Sequence, residues 1–174
     1  MTLRHAVLGL LADSPGSGYD LLKRFQTAMA NVWSATQSQL YGELGKLEKA
    51  ELIKVSAEGP RGRKEYSITD TGRTELQTWL LDPGPSPVPR SETLLRVYFL
   101  GEVSPAQARD YVARHGESAA RLAEHLESLE ASIDWDDADS SRYGRLVLEW
   151  GKRYAAMEQE WATWATERIR TTRG

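Results

Sequence analysis

The chain has 174 residues, 40% of them hydrophobic and 27% charged, and it contains no cysteine. This is an ordinary globular balance for one large or two small domains, and it excludes disulfides and thiolate metal sites. Net charge is −3; residues 1–82 balance 10 Lys/Arg with 10 Asp/Glu, and residues 83–174 hold 12 against 15, so a polyanionic partner would have to meet a local basic patch.

No run approaches the roughly 18 apolar residues of a membrane span. No basic-plus-apolar leader opens the chain. A cytoplasmic protein without membrane association is expected, with no cofactor.

The pattern predicts a first helix from about Leu3 to Ala12. Its run Ala6-Val7-Leu8-Gly9-Leu10-Leu11 is apolar nearly all round and calls for burial on two sides. Ser14-Pro15-Gly16 stops it. Ser17-x-x-Asp20 forms a capping box for a second helix, with Leu21, Leu22, Phe25 and Ala28 inward. Thr36-x-x-Gln39 is another such box. It opens a third helix whose Leu40, Leu44 and Leu47 make one apolar stripe. Two alternating strands follow, Leu52–Ala57 and Lys64–Thr69, around the turn Gly59-Pro60-Arg61-Gly62. Asp70-Thr71-Gly72 then leads into a helix ending near Asp82. Three helices and a hairpin is winged-helix order.

Pro83, Pro85, Pro87 and Pro89 mark a semi-rigid extended linker. Beyond it all is helix: Glu92 to Leu100, about Pro105 to Ile133, and a last helix from near Ser141. In the long helix Ala108, Val112, His115, Ala119, Leu122, Leu126, Leu129 and Ile133 alternate steps of four and three. In the last, Tyr143, Val147, Trp150, Tyr154, Met157, Trp161 and Trp164 do the same. Such stripes imply coiled-coil-like packing, either as a hairpin within one chain or between chains. The first helix has a spare apolar face, so Leu3 and Val7 join the aromatic stripe as expected dimer contacts.

Opposite its apolar stripe, the third helix carries Ser38, Gly42, Gly45 and Lys49, flanked by Gln39 and Lys46. Each glycine costs about 1 kcal/mol of helix stability relative to alanine. They make sense where another surface must come close, and a major groove admits a helix. Gln37, Ser38, Gln39 and Lys46 are expected to read bases. Gln37 and Ser38 also lie in the first turn, where free amides hold phosphate. Tyr41 sits on the flank, between core and phosphate. Arg61, Arg63 and Lys64 at the hairpin tip suit a phosphate backbone.

Only His5, His115 and His125 are present, and no catalytic spacing joins them. His115 falls on the heptad stripe as a core histidine. Asp134, Asp136, Asp137 and Asp139 fail the calcium-loop pattern, with Asp139 where glycine and Arg145 where glutamate should stand. No enzyme is expected. A winged-helix adaptor that docks proteins is the alternative to DNA binding; the basic residues favour DNA.

Gly18-Tyr19-Asp20-Leu21, Ser38-Gln39-Leu40-Tyr41-Gly42-Glu43-Leu44, Leu47-Glu48 and Gly62-Arg63-Lys64-Glu65-Tyr66-Ser67-Ile68-Thr69 together resemble the PadR family of transcriptional regulators. Leu95-Arg96-Val97-Tyr98-Phe99 and Gly151 to Trp161 look like the Vir-type C-terminal domain of its longer-chain subfamily. Gly42 departs from the family, which commonly has proline there. The resemblance implies a dimer, a palindromic operator, repression and, in many members, release by a small molecule. Trp150 and Tyr154 beside Gly151 suggest a flat apolar slot for a planar aromatic effector, with plain dimer core as the other reading.

The expected architecture is mainly α with a small β-hairpin. A winged helix-turn-helix spans 1–82, a Pro-rich linker 83–90, and a helical dimerisation domain 91–174.

Overall fold

A computed structural model describes residues 2–28, 35–59, 62–82, 84, 91–136 and 138–169. The chain divides into two compact units, Met1–Pro87 and Val88–Gly174. The expected linker over 83–90 lies outside the described residues except for Gly84.

In the first unit the order is α1 (Thr2–Asp13), β1 (Gly16–Ser17), α2 (Gly18–Ala28), α3 (Gln37–Lys49), β2 (Ile53–Glu58), β3 (Lys64–Ile68) and α4 (Asp70–Leu81). α1 is the central helix. It packs against α2, α3, α4 and β3, which is why its sequence is apolar nearly all round. Val7, Leu8 and Leu11 join Leu21, Phe25, Leu40, Leu44, Leu47, Ile53 and Ile68 in one core. Burying each such side chain contributes about 1.5–3 kcal/mol.

This corrects one expectation. α1 has no spare face at Val7, whose side chain is 0% exposed inside this core. Val7 therefore has no surface to offer a second chain. Leu3 is half-buried at the edge of the same core.

Both capping boxes form. In α2 the Asp20 amide donates to Ser17 Oγ and the Ser17 amide donates to Asp20 Oδ2. In α3, Thr36 and Gln39 exchange the same two bonds. The expected hairpin is a three-stranded antiparallel sheet of order β1-β3-β2. Gly16 pairs with Tyr66 and Ser17 with Glu65. Two residues are too few for an alternating pattern, so Ser14-Pro15-Gly16 reads only as a helix stop. Arg24 fixes this corner, donating to Ser14 Oγ at 2.6 Å, the Ser14 carbonyl at 3.0 Å and the Leu10 carbonyl at 3.2 Å.

The second unit holds α5 (Glu92–Tyr98), a short 3-10 turn (Leu100–Glu102), α6 (Pro105–Ser132) and α7 (Asp139–Arg168). α6 and α7 form an antiparallel hairpin, as the pairs Gly116–Ala162 and Leu126–Gly151 require. Ala108, Val112, Ala119 and Leu126 of α6 are buried, with Leu148, Gly151, Ala155 and Ala162 of α7. At the turn Asp136 accepts from the Ala138 amide and Ser141 Oγ. It thus ties the turn to the first residues of α7. Among the described residues no cluster of three or more His, Asp or Glu side chains is arranged to hold a metal ion.

α7 therefore carries two apolar stripes side by side. The seam to α6 is the small-residue stripe, one position along from the aromatic one. Tyr143, Val147, Trp150, Tyr154, Met157 and Trp164 remain exposed, and Trp161 is half-buried. α5 buries none of its residues, leaving Leu94, Leu95 and Tyr98 exposed, with Phe99 beyond its end.

Candidate nucleic-acid interface

The core stripe of α3 turns its opposite face outward. Gln37, Ser38, Gln39, Tyr41, Gly42, Lys46 and Lys49 are all exposed on it. Beyond Gly42 and Gly45 a Cβ would meet nothing within 4 Å. The glycines thus face open space rather than a packing neighbour. Gln39 is not wholly free, because its Oε1 accepts from the Thr36 amide at 2.9 Å and from Thr36 Oγ1 at 3.1 Å. Its amide N–H groups are the part left for a base edge. Lys46 leans on Glu43 at 3.0 Å while its side chain stays 74% exposed.

The tip of the β2–β3 wing is closed by the Gly59 amide on the Arg63 carbonyl at 2.7 Å. Gly62 has φ +75°, a left-handed turn position that suits glycine. Arg61 lies outside the described residues. Arg63 and Lys64 are exposed, and both are tethered. Arg63 Nη2 donates to Asp20 Oδ2 at 2.7 Å, and Lys64 Nζ to Glu48 Oε1 at 3.2 Å. The wing is thus tied to α2 through one cation and to the end of α3 through the other.

Asp20 is held by more than Arg63. Ser17 Oγ donates to the same oxygen at 2.6 Å and the Ser17 amide at 3.1 Å. These Ser17 bonds first, and Arg63 after them, lower the Asp20 carboxyl to about 2. The hydrogen bond to Glu48 raises Lys64 above its ordinary value. Tyr66, under the wing, is pushed up by burial first.

Ser17, Gly18, Tyr19, Tyr41, Gly62, Arg63, Lys64 and Tyr66 line one cleft of about 480 Å³ between α2, α3 and the wing. Gly18 lies against the Tyr41 ring, where a Cβ would stand 2.7 Å from it and the ring would have to shift. Tyr41 thus reaches α2 at Gly18 while 45% of it stays exposed. Asp20, Glu48 and Gly18 were missed as site residues. Nothing in their local spacing shows that they meet the wing, because the Asp20–Arg63 pair joins positions 43 apart.

The effector slot is expected at Trp150, Gly151 and Tyr154. Gly151 faces Leu126 across the α6–α7 seam, where a Cβ would stand 3.1 Å from its Cδ1. Trp150 and Tyr154 stack on one another, with centroids 5.4 Å apart and an interplanar angle of 7°. His115 is satisfied by Glu158, with Trp161 edge-on at 5.6 Å. Burial first, then a hydrogen bond with Glu158, raises Tyr154 above the usual phenol range.

Residues 7–78 match the PadR-like family of transcriptional regulators. Residues 89–170 match the virulence activator alpha C-terminal family. The chain is 31% identical over 154 residues to the negative transcriptional regulator PadR of Bacillus subtilis, covering 84% of this chain and 85% of that one. The crystal structure of Bacillus subtilis PadR in complex with operator DNA superposes with a TM-score of 0.84 at 27% identity, over 98% of this chain and 100% of that one. The same regulator in complex with p-coumaric acid gives 0.82 at 30% identity, over 97% and 99%.

Proposed function

The chain belongs to the PadR-like family of transcriptional regulators, and on that premise we propose that it represses transcription as a homodimer on a palindromic operator. It is a DNA-binding regulator and not an enzyme. The carrying observation is the open glycine face of α3 beside the two wing cations Arg63 and Lys64. A helix with that face can sit deep in a major groove while the wing meets phosphate.

Reading falls to Gln37, Ser38, Gln39 and Lys46, with Gly42 at closest approach. Backbone anchoring falls to Tyr41, Lys49, Arg61, Arg63 and Lys64. Dimerisation falls to Tyr143, Val147, Trp150, Tyr154, Met157, Trp161 and Trp164, with Leu3 at the margin. Aromatics bury roughly 150–250 Å² each, and an exposed stripe of them calls for a partner. Two-fold pairing would set two α3 helices about 10 base pairs apart or a multiple of that.

The relative solved with p-coumaric acid supports a planar aromatic effector here too, acting by binding DNA-competent and DNA-incompetent states unequally. Among the described residues no helix is long and apolar enough to cross a membrane, and the cytoplasm is where an operator would be met. The test is selection of duplexes from a random pool. A recovered inverted repeat, bound tightly in a gel shift and released by p-coumaric acid, is the expected result. Recovery of no consensus would sink the reading.

A further inference from the structure

We propose that Asp20 is a positioning residue for DNA binding: anchored by Ser17, it holds the wing arginine Arg63 aimed at the phosphate backbone. The inference rests on the reading of the wing as a DNA contact.

An acid on a DNA-facing surface is at first sight a defect. A carboxylate repels phosphate, and neutralising one ordinarily tightens binding to a polyanion. The geometry of Asp20 argues otherwise. Its Oδ2 is held independently of Arg63, by Ser17 Oγ at 2.6 Å and the Ser17 amide at 3.1 Å. Ser17 is in turn held in β1, paired with Glu65 of the wing strand β3. The anchor is therefore part of the sheet and helix rather than a mobile surface group.

Arg63 meets it through Nη2 alone, at 2.7 Å. A guanidinium carries a fork of N–H donors, so an end-on contact leaves the remaining donors for an anion. The Arg63 side chain is 61% exposed while bonded to Asp20, and it lines the cleft that also holds Gly62 and Lys64. One arginine can thus bridge protein and phosphate together. Without the anchor, a long side chain at a glycine turn would have to be ordered at the moment of binding, which costs affinity.

The test is a double-mutant cycle on the full-length protein. The probe is a fluorescein-labelled duplex that the protein itself has selected from a random pool. Arg63→Ala should weaken binding about tenfold, as for loss of a charge-assisted bond, and lower the salt slope by about one. Asp20→Asn leaves an amide oxygen for the Ser17 amide but removes the charge. It should weaken binding about fivefold, as for releasing one long side chain. Added to Arg63→Ala, it should change affinity by less than about twofold, since distinct effects add and coupled ones do not.

Equal or tighter binding by Asp20→Asn would overturn the proposal, making the acid a mere repulsive charge. So would an equal loss in both backgrounds, which would make Asp20 only a helix cap; this arm also absorbs any loss of folding. An inert Arg63→Ala overturns it as well. Failure of the wild-type chain to select any duplex is a separate outcome that sinks DNA binding itself.

Discussion

Gly72 lies against the carbonyl oxygen of Leu52 with no room between them for a Cβ. The contact seats the first turn of α4 on the start of the wing. Thr69 completes it, its Oγ1 donating to the Leu52 carbonyl at 3.0 Å and accepting from the Gly72 amide at 3.1 Å. Gly72→Ala should destabilise the first unit at or beyond the upper end of the ~1–3 kcal/mol typical of overpacking. Chemical denaturation followed through the amide NMR signals of the first unit measures this, and a midpoint like the wild type's would refute it.

Gly42 is the opposite case, because a Cβ there meets nothing. Gly42→Leu should leave stability unchanged or raise it by up to about 1 kcal/mol, while operator binding is abolished. A stable variant that still binds tightly would mean that α3 does not approach DNA at this residue.

Gly116 and Ala162 set the spacing of the α6–α7 seam, where a Cβ on Gly116 would stand 2.9 Å from the Ala162 Cβ. Both atoms sit on helix backbone, so neither can swing aside. Gly116→Leu should lower the melting temperature of the second unit, and Gly116→Ala should do so less. A larger effect from alanine would contradict the seam geometry.

Trp150→Glu and Trp164→Glu place a charge on the exposed stripe of α7, away from the buried seam. Each should give a folded monomer in sedimentation, with operator affinity lost because one recognition helix cannot span two half-sites. A dimer retained at micromolar concentration in both variants would move the interface elsewhere.

Asp20 supplies a pH dependence. Its carboxyl lies at about 2 in the folded chain against an ordinary 3.8, so its stabilising contribution is present above that ordinary value and lost as pH falls through about 2. Carboxyl carbon shifts in a pH titration read it directly. Ser17→Ala should raise the midpoint more than Arg63→Ala, since Ser17 is the larger cause. The reverse order would show the ion pair to dominate.

Much of this protein is legible in its sequence because the signals are local. Capping boxes at Ser17 and Thr36, the Leu40-Leu44-Leu47 stripe and the cation-bearing turn at Gly62 each lie within one or two turns of chain. Steric and hydrogen-bonding rules act at that range and need no partner. The heptad spacing likewise shows that α7 has an apolar stripe.

Tertiary structure decided the rest. The size of Tyr143, Trp150 and Trp164 draws attention to the aromatic stripe, yet α6 packs on the neighbouring one, Leu148-Gly151-Ala155-Ala162. Close antiparallel approach selects small residues, and that choice depends on Gly116 and Leu126 of the other helix. The same holds for Val7, whose burial needed α2, α3, α4 and β3 in place, and for Asp20 and Arg63. Pairing across 43 positions follows from the β1–β3 register. No periodicity records it, because a contact between distant segments exists only once the chain between them has folded.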